Sequence, residues 1–118
     1  MNRKFIIAAS ILLFAIAALF FLWEQPILLS ILLVITAYVK HRLYPIKSEL
    51  LWFALICFGG AIVEMLLVNI GGAWSYASSQ LFNVPIWMPL FWGLVGTTVI
   101  VMYDGMTERR GRIKAKID

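Results

Sequence analysis

The sequence predicts an all-α membrane protein of four transmembrane helices, with both termini on the cytoplasmic side, and three observations lead there. The first is composition: 63% of the 118 residues are hydrophobic and 14% are charged, against roughly 45–50% and about 25% in soluble domains. Mean hydropathy is +0.93, and a soluble fold this small has too much surface per unit volume to hide that apolar content. The second is the recurrence of apolar runs, each close to the roughly 20 residues that cross a bilayer as a helix. The third is charge: all ten Lys and Arg residues fall on one side of a four-crossing arrangement, which the positive-inside rule makes cytoplasmic.

The whole chain, 1–118, reads as a single domain. The first helix covers about 5–23; its apolar run is longer than the roughly 7–15 residues of a signal-peptide core, which predicts a retained membrane helix. The tight Trp23-Glu24-Gln25-Pro26 follows. Pro26 suits the first turn of a second helix, about 26–40, because its missing N–H would be unpaired there anyway. A basic connection with Pro45 leads to the third helix, about 49–70, and an uncharged Gly-, Ser- and aromatic-rich segment, 71–85, leads to the fourth, about 86–104. That outer segment is long for a link between helices, usually about 2–8 residues. Its Leu81 and Phe82 predict a short interfacial helix. Residues 105–118 form a basic cytoplasmic tail, whose charges suit anionic headgroups; no nucleic acid is needed to explain the net charge of +4. The location implied is the cytoplasmic (inner) membrane.

Glu64 is the conspicuous ionisable residue inside an apolar run. A carboxylate at membrane depth costs at least about 2.5–3.5 kcal/mol and usually faces a bundle interior or a watery cavity. Glu64 is therefore the candidate acid, catalytic or ligand-binding, with interhelical hydrogen-bonding glue as the alternative. Cys57, Gly60, Ala61 and Gly71 share its helix face, and all are small. Asn69 is rotated by about 140° from it and reads as a cap. Gly93, Gly96 and Thr97 give helix four a smooth face, so Gly60, Gly71, Gly93 and Gly96 are candidate packing positions, with the Trp92 ring placed over the vacant surface of Gly96. Trp74, Tyr76, Trp87 and Trp92 are candidate walls of an apolar pocket around Glu64, suited to a lipid or polyprenoid; a plain interfacial aromatic belt is the simpler account of Trp74, Tyr76 and Trp87. Cys57 is the only cysteine and has no disulfide partner or thiolate companion. His41 reads as a solvated interfacial residue, and Glu24 and Glu49 as ordinary helix-end residues. No metal site or cofactor is called for, and no phosphate loop, nucleophile elbow or Cys cluster is present, which leaves redox and hydrolytic chemistry without visible machinery.

The pattern Glu64, Gly71, Tyr76 and Val84-Pro85-x-x-x-Pro89-Leu90-x-Trp92 resembles one helical hairpin of the carotenoid biosynthesis membrane proteins that include the carotenoid hydratases. Gly72 to Tyr76 is also similar to the lycopene cyclase domain family. The resemblance covers about residues 60–95 and implies a polyprenoid substrate, with an acidic residue that protonates an alkene. The cyclases continue with a Pro-x-Glu-Glu motif where this chain has Pro85-Ile86-Trp87-Met88, and the hydratases are much longer, so a partner chain or self-association would complete such a site. Small multidrug transporters are similar in size and helix number, but their essential Glu lies on helix one. The expected function is binding or modification of a hydrophobic lipid or isoprenoid around Glu64, with membrane lipids and a homo-oligomer or partner membrane subunit as partners. The alternatives are a non-catalytic subunit or assembly factor, and a small proton-coupled transporter.

The orientation is testable by cysteine labelling in a Cys57→Ala background. Ser79→Cys should react with an impermeant maleimide on intact cells, and Lys47→Cys and Lys114→Cys only after permeabilisation. The reverse pattern would invert the topology.

Overall fold

The computed structural model describes residues 3–72, 75–76, 79 and 83–117, with residues 108–117 described by backbone alone. Four helices follow one another: α1 (Arg3–Leu22), α2 (Pro26–Leu43), α3 (Glu49–Asn69) and α4 (Trp87–Ile117). All four are long and apolar enough to cross a membrane, α4 through its stretch Trp87–Thr107. The sides of the bundle carry large exposed apolar residues such as Phe20, Phe21, Leu50, Phe58 and Ile70. That surface suits hydrocarbon rather than water, as a multi-pass membrane protein requires.

Local chemistry sets the helix ends. The α1–α2 link is closed by Gln25 N–H donating to Leu22 O at 2.9 Å, and Pro26 opens α2 in its first turn. Ser48 precedes α3 with φ 56°, and Trp52 N–H donates to its carbonyl. At the far end of α3, Ile70 and Gly71 both donate to Leu66 O. Ser10, Ser30 and Thr36 return their hydroxyls to the carbonyl four residues back, which satisfies them where hydrocarbon would not; the buried Thr98 hydroxyl of α4 finds no such partner among the described residues. The α4 helix does not stop near 104; its backbone continues to Ile117, so the basic tail extends a helix past the apolar span.

The α4 helix is the post on which the other three lean. Both α1 and α2 pack on it and on each other, while α3 packs chiefly on α4. On one side Leu94 joins Ala15, Ala18, Leu29 and Leu33 in the core. Buried Ala8, Ala15 and Ala18 give α1 a small-residue face, which permits close approach without the large side chains a water-driven core needs. On the other side Gly93 and Gly96 meet α3. A Cβ at Gly93 would fall 2.5 Å from Cys57 Sγ and 2.9 Å from the Phe53 ring, and one at Gly96 would fall 2.6 Å from Ile56. The vacant surface of Gly96 is thus filled by Ile56, and the Trp92 ring lies over Gly60 instead, where a Cβ would fall 2.6 Å from it. Gly71 sits against Leu67 of its own chain and is not an interhelical contact. Near the opposite end Gly105 of α4 receives the backbone of Phe5, 3.0 Å from a would-be Cβ. The start of α1 and the basic extension of α4 therefore share one end of the bundle.

A buried ion pair ties α2 to α3 at that end. Lys40 is fully buried, and its Nζ donates to Glu49 Oε1, while Glu49 Oε2 faces His41 Nδ1. The Glu49 carboxylate thus has a specific role that a generic helix-end residue lacks, and His41 is half-exposed but partnered rather than simply solvated.

Overpacking a close helix contact costs about 1–3 kcal/mol. Gly93→Val should lower stability in detergent by that order, read as a reduced melting temperature. Gly59, with open space around its Cβ position, should accept Ala unchanged or gain about 0.5–1 kcal/mol.

Candidate functional site

Glu64 is buried, at 6% exposure, on the face of α3 that meets α4. Gly60 lies one turn earlier on that face. Because Gly60 has no side chain, the Trp92 ring from α4 can lie directly on the α3 backbone, and this brings its Nε1–H to Glu64 Oε1 at 3.1 Å. The other carboxylate oxygen, Oε2, accepts from Tyr76 Oη at 2.5 Å. Both oxygens are therefore engaged, one from α4 and one from the connection between α3 and α4. Each hydrogen bond to a charged group contributes about 1.5–3 kcal/mol, so the pair is of the size needed to offset the insertion cost of about 2.5–3.5 kcal/mol.

The connection is held in place by a second polar contact. Asn69, at the end of α3, donates through Nδ2 to Met65 O at 2.9 Å. Its Oδ1 accepts from Asn83 Nδ2 at 2.5 Å. Asn83 has φ 64°, a left-handed conformation that Asn tolerates better than most residues. This clasp fixes both ends of the connection close to the C-terminal end of α3, within reach of Tyr76.

Next to Tyr76 is a cavity of about 410 Å³ whose lining includes Ile16 and Phe20 of α1, Trp23 of the α1–α2 link, Tyr76 and Pro85 of the connection, and Trp87 of α4. That volume lies within the roughly 300–1,000 Å³ typical of small-molecule sites. Trp87 is at once part of the core and a wall of this cavity. Tyr76 is the residue common to the cavity and to Glu64. Trp92 lies on α3 and is not among the cavity walls. Trp74, Leu81 and Phe82, named from the sequence, lie outside the described residues. Among the described residues no cluster of His, Cys, Asp and Glu could hold a metal ion.

Sequence reasoning missed Asn83, the Lys40–Glu49–His41 cluster and the contribution of α1 to the cavity walls. Helical spacing cannot find such contacts, since each joins separate elements across a turn or between distant helices. Comparison of the chain with protein-family models, curated proteins and solved structures finds no match.

Removing either donor leaves a buried carboxylate oxygen unpaired, at a cost of about 1–3 kcal/mol. Trp92→Phe and Tyr76→Phe should each lower stability in detergent by that order. In a Glu64→Met background both effects should shrink towards zero, the signature of direct coupling; persistence of either loss would detach that residue from Glu64.

Proposed function

We propose that this chain is a small protein of the cytoplasmic membrane, with both termini cytoplasmic, that binds a hydrophobic lipid or isoprenoid ligand. The ligand lies in the outer cavity, and Tyr76 with Glu64 behind it supplies its polar or acidic contact. One observation carries the reading: Tyr76 lines the cavity and at the same time donates to the buried Glu64 carboxylate. A phenol held by a carboxylate is oriented and made a better acceptor, so it can receive a hydrogen bond from a hydroxyl or polar end group while apolar walls cover the rest of the molecule. The walls from Ile16, Leu19, Phe20 and Trp87 suit a branched hydrocarbon better than a hydrophilic solute. The local resemblance to carotenoid biosynthesis proteins points to the same ligand class.

A second reading is favoured by a separate fact: both Glu64 oxygens are already satisfied within the chain. A fully engaged carboxylate can serve as interhelical glue, and the chain would then act as a non-catalytic subunit of a larger membrane complex.

Native mass spectrometry of gently solubilised protein from its own membranes, with lipid extraction and a visible spectrum of the same sample, separates the two. The ligand reading expects a stoichiometric polyprenoid or specific lipid. Tyr76→Phe should reduce its occupancy by about tenfold, equivalent to one hydrogen bond of about 1.4 kcal/mol. A co-purifying polypeptide with no specific lipid would instead establish the subunit reading.

A further inference from the structure

The opposite end of the bundle holds a second cavity, of about 350 Å³, between α2 and α3. It exists because α3 packs chiefly on α4, while α2 packs on α1 and α4, so the two neighbours along the chain diverge above their shared ion pair. Val34 and Ala37 of α2 and Leu50 and Phe53 of α3 form its walls, and Thr97 of α4 forms its floor. The Thr97 hydroxyl donates to its own helix, to Gly93 O at 2.9 Å, and so presents no unpaired donor to the cavity. Val34 is seven residues from His41 along α2, a depth of about 10 Å. The lining is mostly apolar over that depth, with the Tyr38 side chain among its walls, and its ionisable residues His41 and Glu49 stand at the mouth.

The mouth has a definite charge balance. Glu49 is neutralised by buried Lys40 through one oxygen and faces His41 Nδ1 through the other, so its charge is covered. Arg42 and Lys47, both exposed, flank these residues in the chain, so this end of the bundle carries more positive than negative charge. The Lys4 ammonium, 5.9 Å from the Tyr44 ring centroid, adds a further positive charge to the same end. His41 Nε2 points away from Glu49, since Nδ1 occupies that side of the ring.

We propose that this α2–α3 groove holds one acyl chain of an anionic glycerophospholipid, whose phosphate sits among His41, Arg42 and Lys47. Amphiphile and groove match in order: an apolar slot of hydrocarbon depth, then a cationic rim at the helix ends where headgroups lie. A hydrocarbon partner without a headgroup would use the slot and ignore the rim, and a zwitterionic lipid would gain little from its net positive charge. The site is independent of Glu64 and of the outer cavity, at the other end of α4.

The test is native mass spectrometry of the full chain in detergent, titrated with dioleoyl phosphatidylglycerol or dioleoyl phosphatidylcholine. Each basic residue near an anionic headgroup contributes about fivefold in affinity, so Arg42→Gln with Lys47→Gln should weaken phosphatidylglycerol binding by about 25-fold and leave phosphatidylcholine unchanged. Ala37→Phe, which fills the slot without touching the rim, should abolish the first tight binding event for phosphatidylglycerol. Arg112→Gln with Lys114→Gln, a control on the α4 extension, should reduce it much less. Equal affinity for the two lipids would overturn the proposal. So would a control loss as large as that of the rim variant, or Ala37→Phe binding like the parent while it remains helical by circular dichroism.

Discussion

A carboxylate placed within a helix long and apolar enough to cross a bilayer must find donors, because hydrocarbon supplies none. Much of the architecture around α3 and α4 follows from how Glu64 meets that demand. One donor, Trp92, reaches it only because Gly60 lets the indole lie on the α3 backbone. The other, Tyr76, reaches it only because the connection after α3 folds back and is clasped by Asn69 and Asn83. Helix spacing, loop path and aromatic placement are thus three conditions set by one group.

The α4 helix makes those conditions compatible with the rest of the bundle. Its Gly93 and Gly96 bring α3 close on one side, and Leu94 faces the α1–α2 pair on another. Because the close approaches use Gly and Ala rather than large side chains, dispersion and polar ties replace the hydrophobic drive that water would provide. The leaning of α3 on a single neighbour leaves a slot against α2, while the α3–α4 connection and α1 leave a cavity at the other end. The two ends differ in character: the one at the α3–α4 connection is aromatic and carries a tethered acid, and the other is basic and tied by the Lys40–Glu49 pair.

Several of these features were legible in the chain. Four apolar runs, a proline at the start of α2 and the Glu64–Gly60 spacing need only periodicity and composition to be seen, and the helices begin and end close to the expected positions except for α4. Its extension to Ile117 was hidden because a basic segment reads as tail when apolar length alone is used to end a helix. Glu49 looked ordinary because a lone acid before an apolar run is what a helix N-terminus usually shows. Its pairing with Lys40 depends on how the turn through Pro45 returns the chain. Counting one turn along α4 puts Trp92 over Gly96, whereas the surface it covers, at Gly60, belongs to the neighbouring helix.

Four apolar helices with the basic residues gathered at one end follow from the order of residues alone, since length, hydropathy and charge act residue by residue along the chain. That order also singles out Glu64, because the cost of a carboxylate in hydrocarbon does not depend on which partner it finds. That Tyr76 and Trp92 are those partners, that Trp87 belongs to a cavity wall shared with α1, and that α2 and α3 part to leave a groove come from the packing of the helices. These are distances between elements remote in sequence, set by where glycines permit backbones to approach and where a connection turns back, and no local pattern encodes them.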